Sequence, residues 1–321
     1  MRKALLVGIA DYALASPLTA CVTDVDRLEP LLARHDDGRP NFKCEKLTST
    51  GPELVTCELL RRKLHEHLDT NFTGDVLFYF SGHGLATSLG GHLLTYEGSR
   101  YQPGLPMNEL VRLANLSRAK NVFILLDCCY AGAAGNDEEV VGEIENEAKL
   151  REGVTILAAA RPRQTAREVG GHGIFTQLVL AALNGGAADV RGQVSAASVY
   201  AYAEAILGAL DQRPLYKSHA ASLDPVRLCT PAVPDETLRR LPELFPTPTS
   251  TFRLTPSFEK THADAVYAHV EIYQALKSMQ TARLLCCEIG QDMYFTALAS
   301  EVVSLTPLGR FYWELAKSEQ I

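Results

Sequence analysis

The chain of 321 residues carries 46% hydrophobic and 21% charged residues, which is typical of a globular protein with one large domain and a smaller one. Its formal net charge of −7 argues against nucleic acid as the main partner, and no apolar run reaches the roughly 18 residues that a membrane-spanning helix needs. Eight scattered cysteines without paired CxxC spacing argue against a zinc site and favour reduced thiols in a cytoplasmic protein.

Apolar runs alternate with amphipathic stretches from residue 3 to about residue 228. This alternation predicts an α/β fold, with a mainly parallel sheet of about six strands flanked by helices on both faces. The predicted strands are 4–8, 42–47, 75–81, 121–127, 155–160 and a weaker 222–228. The predicted helices are 22–34, 52–68, 106–116, 173–183 and 196–210. In such a sheet, active residues belong beyond the carboxyl ends of the strands.

Two segments at predicted strand ends carry most of the chemical information. Ser-Gly-His-Gly stands at 81–84, and Asp-Cys-Cys-Tyr-Ala-Gly stands at 127–132. In neighbouring strands they would bring an imidazole beside a thiol, as in a cysteine nucleophile with its base. A lone histidine or cysteine is more often a core residue, but the glycines that flank His83 suit a site better than a core. The amides of Gly84 and Cys129 are candidates for an oxyanion hole.

Strand alternation indicates which cysteine acts. Asp127 and Cys129 would share one face of the strand, whereas Cys128 would point to the other. We therefore predict that Cys129 is the nucleophile and His83 is its base. Cys128 stays the alternative, because the pleat breaks where the strand ends.

These segments resemble the caspase family of cysteine peptidases, and most closely its metacaspase and bacterial caspase-like branch. The family's histidine motif is matched at 81–84, and its nucleophile motif Asp-x-Cys-x-Ser-Gly is matched at 127–132 with alanine in place of serine. Further matches lie at 158–168 and 173–176, so the resemblance covers about residues 1–228. It implies a caspase-haemoglobinase fold, a Cys-His dyad with an acyl-enzyme intermediate, and a role in bacterial defence or programmed death.

The resemblance also implies a substrate pocket. Asp24, Asp127, Cys21 and Ser81 match the residues with which metacaspases bind an arginine or lysine of the substrate. Two carboxylates in a partly desolvated pocket would select a cation through charge-assisted hydrogen bonds. The alternative for Asp24 is the N-cap of the first helix. These residues predict an endopeptidase that cleaves protein substrates after Arg or Lys; the competing hypothesis is a catalytically silent adaptor that acts through its C-terminal part.

Many metacaspases require calcium, which aspartates between the two motifs bind. Between residues 85 and 126 this chain has no aspartate, and its only glutamates there are Glu97 and Glu109. A hard cation needs several oxygen ligands. We therefore expect no metal site, no cofactor and no calcium requirement.

The pattern divides the chain into a catalytic domain at 1–229, a proline-rich connector at 230–260 and a small helical or winged-helix-like module at 261–321. Because basic residues are not clustered in the module, we expect it to recruit a protein or to inhibit, and not to bind nucleic acid.

The acidic stretch 136–152 is predicted to be an exposed, mobile loop after the nucleophile segment. It ends in Lys149-Leu150-Arg151, and both basic residues suit the expected pocket. One hypothesis is that cleavage at Lys149 or Arg151, by this protein or by an activating protease, releases activity. The equal alternative is a solvated loop that ends in basic residues by chance.

Overall fold

A computed structural model describes residues 1–49, 54–87, 90–128, 149–159, 168–169, 172–208, 214–220, 224–288 and 292–321. These residues form two compact units: Met1–Ala188 with Gln193–Cys229, and Asp189–Gly192 with Thr230–Ile321. Among the described helices, none is both long enough and apolar enough to cross a membrane.

The first unit alternates strands and helices. Its described strands are β1 (Arg2–Gly8), β2 (Lys43–Thr48), β3 (Asp75–Ser81), β4 (Gly84–Thr87), β5 (Gly90–Leu94), β6 (Gly104–Pro106), β7 (Val122–Asp127), β8 (Val154–Ala158), β9 (Glu168–Val169), β10 (His172–Gly173), β11 (Gln193–Val194), β12 (Leu215–His219) and β13 (Arg227–Leu228). Its described helices are α1 (Cys21–Ala33), α2 (Cys57–His67), α3 (Met107–Leu116), α4 (Ile174–Ala181) and α5 (Ala196–Leu207).

The central sheet confirms the predicted architecture. In the described chain it has six strands in the order β12-β8-β7-β3-β1-β2, and of these only the edge strand β12 is antiparallel to its neighbour. The inner strands are continuous apolar runs because helices cover both faces of the sheet. Leu6 and Tyr79 face the core that α1, α4 and α5 complete. Val7 and Phe78 face the core that α2 and α3 complete.

The sixth strand does not lie where the apolar pattern predicts it. Strand β12 (Leu215–His219) pairs with β8, whereas the predicted strand 222–228 contributes only β13, a two-residue strand that pairs with β11. Pro225 interrupts the predicted run and has no amide hydrogen to donate to a ladder. The polar residues in β12 are typical of a strand at a sheet edge, and they conceal it from a search for apolar runs.

The second unit has its own sheet and core. Its described elements are α6 (Asp235–Leu238), α7 (Leu241–Leu244), β14 (Thr251–Arg253), α8 (Tyr267–Thr281), β15 (Leu285–Cys287), α9 (Met293–Leu298), β16 (Val302–Leu305) and α10 (Pro307–Lys317). In these residues the strands form an antiparallel sheet in the order β14-β16-β15. The indole nitrogen of Trp313 donates a hydrogen bond of 2.6 Å to the carbonyl of Phe245 in the core.

The proline-rich stretch 230–260 belongs to this second unit. Pro246 and Pro248 separate the short helices α6 and α7 from β14. Apolar residues along the stretch are buried in the unit's core. Those residues are Val233, Leu238, Leu241, Leu244, Phe245, Leu254 and Phe258. The C-terminal region therefore contains a small sheet with helices and begins near residue 230.

Gly8 sets how closely the end of β1 approaches the start of α1. A Cβ atom at this position would lie 2.4 Å from the carbonyl oxygen of Cys21, which is a backbone atom that cannot rotate away. We expect Gly8→Ala to lower the free energy of unfolding by about 1–3 kcal/mol, because α1 must shift from the sheet. The measurement is the midpoint of urea unfolding.

Gly208→Ala is the matched control. No heavy atom lies within 4 Å of a Cβ at Gly208, and its φ of −56° is helical. The control should leave the midpoint unchanged or raise it slightly. Equal midpoints for the two variants would show that the close approach at Gly8 does not limit the packing of α1.

Candidate active site

The carboxyl ends of β1, β3 and β7 lie side by side. The parallel register pairs Gly8 with Ser81, and Ser81 with Asp127. The amide of Gly82 donates a hydrogen bond of 3.4 Å to the carbonyl of Asp127. The histidine segment and the start of the nucleophile segment therefore meet at one edge of the sheet. Cys129 lies outside the described residues.

The last residues of β7 follow the alternation from which the nucleophile was predicted. Asp127 continues the face of Leu125, toward α4, whereas Cys128 continues the face of Leu126. Cys128 is 1% exposed and packs in the core beside α2 and α3. Cys128 is therefore a buried core residue, while Cys129 stays the predicted nucleophile and Cys128 its alternative.

The imidazole of His83 is oriented by a backbone carbonyl. Its Nε2 lies 2.9 Å from the carbonyl oxygen of Ser16, in the loop after β1. A carbonyl oxygen can only accept a hydrogen bond, so Nε2 carries the hydrogen of the neutral ring. Nδ1 is then the nitrogen with the free lone pair. This arrangement leaves Nδ1 available to take a proton from a nearby thiol.

Tyr12 fixes the backbone of the histidine. Its hydroxyl accepts a hydrogen bond of 2.8 Å from the amide of His83, and the two rings lie 4.9 Å apart. Burial raises the pKa of Tyr12, so its hydroxyl stays neutral. Gly82 leaves room for it, because a Cβ there would lie 2.6 Å from the Tyr12 oxygen.

Tyr12 and the carbonyl of Ser16 are site components that the sequence reasoning missed. The only available signal was their place in the chain, since both follow the first strand at the edge of the sheet where active residues were expected. The hydrogen bond to Ser16 involves its backbone, so the residue type carries no signal.

Asp127 binds the N-terminal turn of α4. Its Oδ2 accepts a hydrogen bond of 2.6 Å from the Thr176 hydroxyl and one of 3.2 Å from the Thr176 amide. The Tyr79 hydroxyl lies 2.7 Å from the same Thr176 oxygen. Because the Thr176 hydrogen is used on Asp127, Tyr79 is the donor in that bond. A helix N-terminus and two donors hold the carboxylate in place.

Asp24 lies inside α1 and does not cap it. Helix α1 begins at Cys21 and its N-cap is Ala20, so Asp24 is the fourth residue of the helix. This position overturns the capping alternative. Asp24 is 0% exposed and Cys21 is 3% exposed, and their spacing puts both on one face of the helix.

Three of the four predicted pocket residues, Asp24, Asp127 and Ser81, interact with the phenol of Tyr79. Burial, and then the carboxylates of Asp127 and Asp24, raise the pKa of Tyr79, while a hydrogen bond to Ser81 opposes that rise. Both carboxylates must therefore lie close to this hydroxyl. The structure brings together Asp24, Asp127 and Ser81, with Tyr79 and Thr176 as polar partners that the sequence reasoning had not identified as such.

A cleft of about 740 Å³ has His83 among its lining residues. Its lining comes from residues 14–16, 83–87 and 98–101, together with Leu94. Gly84, the candidate oxyanion donor at the start of β4, is part of it. None of the four predicted pocket residues lines this cleft, whereas His83 does.

Lys149 and Arg151 lie at the opposite end of the sheet. The carbonyl of Lys149 accepts a hydrogen bond of 2.8 Å from the Asn115 side chain, while the Lys149 side chain is exposed. The Arg151 guanidinium donates to the carbonyls of Ala114, at 3.0 Å, and Ala119, at 2.8 Å, which precede β7. Burial lowers the pKa of Arg151. The structure does not bring these residues to the catalytic edge; the preceding residues 136–148 of the predicted loop lie outside the described chain.

In the described part of the chain, no three His, Cys, Asp or Glu side chains are grouped as ligands of a metal ion. These residues do not fit the calcium site that the resemblance raised. Independence from calcium stays a prediction.

Comparisons with known proteins identify a family and a similar fold. A family model described as the caspase domain, peptidase C14, matches residues 1–222. The crystal structure of protein GSU0716 from Geobacter sulfurreducens is similar with a TM-score of 0.52 and 14% identity, over 71% of this chain and 99% of that one. Caspase-1 from Spodoptera frugiperda gives a TM-score of 0.48 at 14% identity, over 71% and 88% of the two chains. A search of curated proteins finds no significant match.

Tyr12→Phe tests how the imidazole is held. The variant keeps the ring but removes the acceptor of the His83 amide. We expect Cys129 to be alkylated by iodoacetamide about tenfold more slowly at neutral pH, because a displaced base no longer takes up the thiol proton. Mass spectrometry of the Cys129 peptide measures the rate.

Tyr216→Phe is the control, because Tyr216 stacks on Tyr200 and lies in the edge strand β12. It should leave the alkylation rate at Cys129 unchanged. An unchanged rate in folded Tyr12→Phe would mean that the bond to Tyr12 does not position the base.

Proposed function

The chain belongs to the caspase domain family, and we propose that it is a cysteine endopeptidase that hydrolyses protein substrates after Arg or Lys. The observation that supports this specificity best is the pair of carboxylates, Asp24 and Asp127, at 0% and 6% exposure. They lie with Ser81 at the same sheet edge as the oriented imidazole of His83.

The proposed reaction uses the thiol of Cys129 and the imidazole of His83. Nδ1 of His83 takes the thiol proton, and the thiolate attacks the scissile carbonyl. The amides of Gly84 and Cys129 stabilise the oxyanion. His83 then gives the proton to the leaving amine, which leaves an acyl-enzyme. Water, deprotonated by His83, hydrolyses the thioester, and the proton returns to the thiol.

Burial of the carboxylates favours a cationic substrate residue. A carboxylate out of contact with water is costly unless donors or a cation compensate it. A guanidinium or ammonium group of the substrate supplies that cation and forms charge-assisted hydrogen bonds. An aspartate of the substrate would add a third negative charge to the same cavity. This supports a place in the metacaspase and bacterial caspase-like branch, since animal caspases bind aspartate through arginines.

Asp24→Asn tests the specificity. The substitution keeps the shape of the side chain but removes one of the two charges that would bind the substrate cation. We expect kcat/KM for a peptide with arginine before the scissile bond to fall about 30-fold or more, from the roughly 2 kcal/mol of a charge-assisted hydrogen bond. Fluorogenic peptides that end in Arg, Lys or Asp provide the measurement, and Cys129→Ala provides the blank.

Asp26→Asn is the control on the same helix. Asp26 is exposed and forms a surface salt bridge of 3.0 Å with Lys46. Its substitution should leave the kcat/KM unchanged. Undiminished arginine cleavage by folded Asp24→Asn would remove Asp24 from the pocket, and no hydrolysis of any peptide by the wild type would favour the silent adaptor.

We also propose that processing acts between molecules and uses Lys149. Lys149 and Arg151 precede β8, whereas His83 follows the carboxyl end of β3, roughly 20 Å away across the length of the sheet. The Arg151 guanidinium is already bound to backbone carbonyls, while the Lys149 side chain is exposed. A lysine on one molecule can enter the pocket of another without a rearrangement of the sheet.

The inactive variant Cys129→Ala serves as the substrate for this test. Incubated with wild-type protein, it should be cut after Lys149, and the combination Cys129→Ala with Lys149→Ala should stay intact at that bond. Intact-mass measurement and sequencing of the new N-terminus at Leu150 identify the cut.

Arg151→Ala is the comparison. It should leave the cut in place and lower the free energy of unfolding by about 1–3 kcal/mol, because the carbonyls of Ala114 and Ala119 lose their donors. Cleavage after Arg151, or a wild-type rate that does not depend on protein concentration, would contradict the proposal.

A further inference from the structure

The 740 Å³ cleft beside His83 is large enough for a peptide segment, and the proposed specificity pocket does not use it. It is bounded by the loop after β1, by the hairpin of β4 and β5 and by the segment 98–101. Leu14 and Tyr101 present their side chains to solvent here, at 72% and 90% exposure. Both side chains line the cleft, and a bound peptide would cover their exposed apolar surface.

The position of the imidazole decides which part of a peptide this cleft receives. His83 must give a proton to the leaving amine, so that amine lies within hydrogen-bond reach of the ring. The side chain before the scissile bond enters the pocket of Asp24 and Asp127, which lies outside the cleft. The chain after the scissile bond starts at the leaving amine, and the cleft that shares His83 is therefore on its route.

The charge of the cleft is opposite to that of the pocket. Arg100 is exposed at the lining, and none of the described lining residues is an aspartate or a glutamate. Within the described residues, no salt bridge engages its guanidinium. An exposed guanidinium next to an aromatic ring offers a carboxylate a partner and an apolar side chain a contact surface.

We infer that this cleft binds the substrate residues that follow the scissile bond, and that Arg100 selects an acidic side chain among them. The inference rests on the proposed peptidase function and adds a second determinant of the substrate. A preferred cleavage site then has a basic residue before the scissile bond, with acidic and apolar residues after it.

The test uses internally quenched peptides that share one arginine before the scissile bond. One peptide carries glutamate at the second and third positions after the bond, and the other carries lysine there. The readout is the ratio of the two kcat/KM values. We expect the wild type to prefer the acidic peptide about fivefold, which corresponds to roughly 1 kcal/mol for a partly exposed ion pair.

Arg100→Glu should invert this ratio, and Arg118→Glu should leave it as in the wild type. Arg118 is exposed and outside the cleft lining, so it gives the same change in net charge without the change in the cleft. Added salt should reduce the wild-type preference, because the pair is partly exposed.

Three results would overturn the inference, and only the last of them would also contradict the proposed peptidase function. Equal ratios in the wild type and Arg100→Glu, with arginine peptides still cleaved, would show that the cleft does not select the substrate. The proposed peptidase function would stand. If Arg100→Glu changed kcat/KM only for peptides with acidic residues before the scissile bond, the cleft would bind the residues on that side of the bond instead. No cleavage of any arginine peptide, before or after Lys149 is cut, would remove the proposed function together with this inference.

Discussion

The parallel register of β1, β3 and β7 is the constraint on which the site depends. It places Gly8, Ser81 and Asp127 in one row across the sheet. From this row the chain continues to Tyr12 after β1, to His83 after β3 and to Cys128 after β7. The predicted nucleophile Cys129 comes next in the sequence and lies outside the described residues. A slip of one residue in any of these strands would reverse its faces, burying polar groups and exposing apolar ones. The apolar faces that stabilise the two cores therefore also fix the positions of Gly8, Ser81 and Asp127 at this edge.

Buried charge at this edge is tolerated because the fold supplies donors in advance. Thr176 donates to Asp127 from its amide and its hydroxyl, and Tyr79 donates to Thr176 in turn. Such a network keeps its geometry in the unbound protein, which would lower the cost of binding the proposed substrate cation. At this edge Asp127 is held in a network of donors, and His83, which follows the same row, also lines the cleft that contains Arg100.

The elements that could be predicted from the sequence are those whose packing requires a recognisable pattern of apolar residues. The inner strands could be predicted because burial on both faces demands continuous apolar runs, whereas the edge strand β12 could not, because its composition is polar. Whether Asp24 caps α1 or lies inside it depends on the residue at which α1 begins. That start lies against Gly8, and the sequence pattern does not show this close approach. The carbonyl of Ser16 had no sequence signature, since any residue offers a carbonyl.

The geometry of the site does not depend on a continuous chain between β7 and β8. Their pairing runs from Val122 with Val154 to Leu126 with Ala158, and it is made of backbone hydrogen bonds that a cut in the preceding segment leaves intact. Leu150 packs against the core, and Arg151 binds carbonyls that precede β7. If the proposed cleavage occurs, a new N-terminus at Leu150 would therefore remain attached at the amino end of the sheet. Under the proposed function, cleavage after Lys149 would occur at the end of the sheet opposite to His83, and it would leave the paired strands of the core intact.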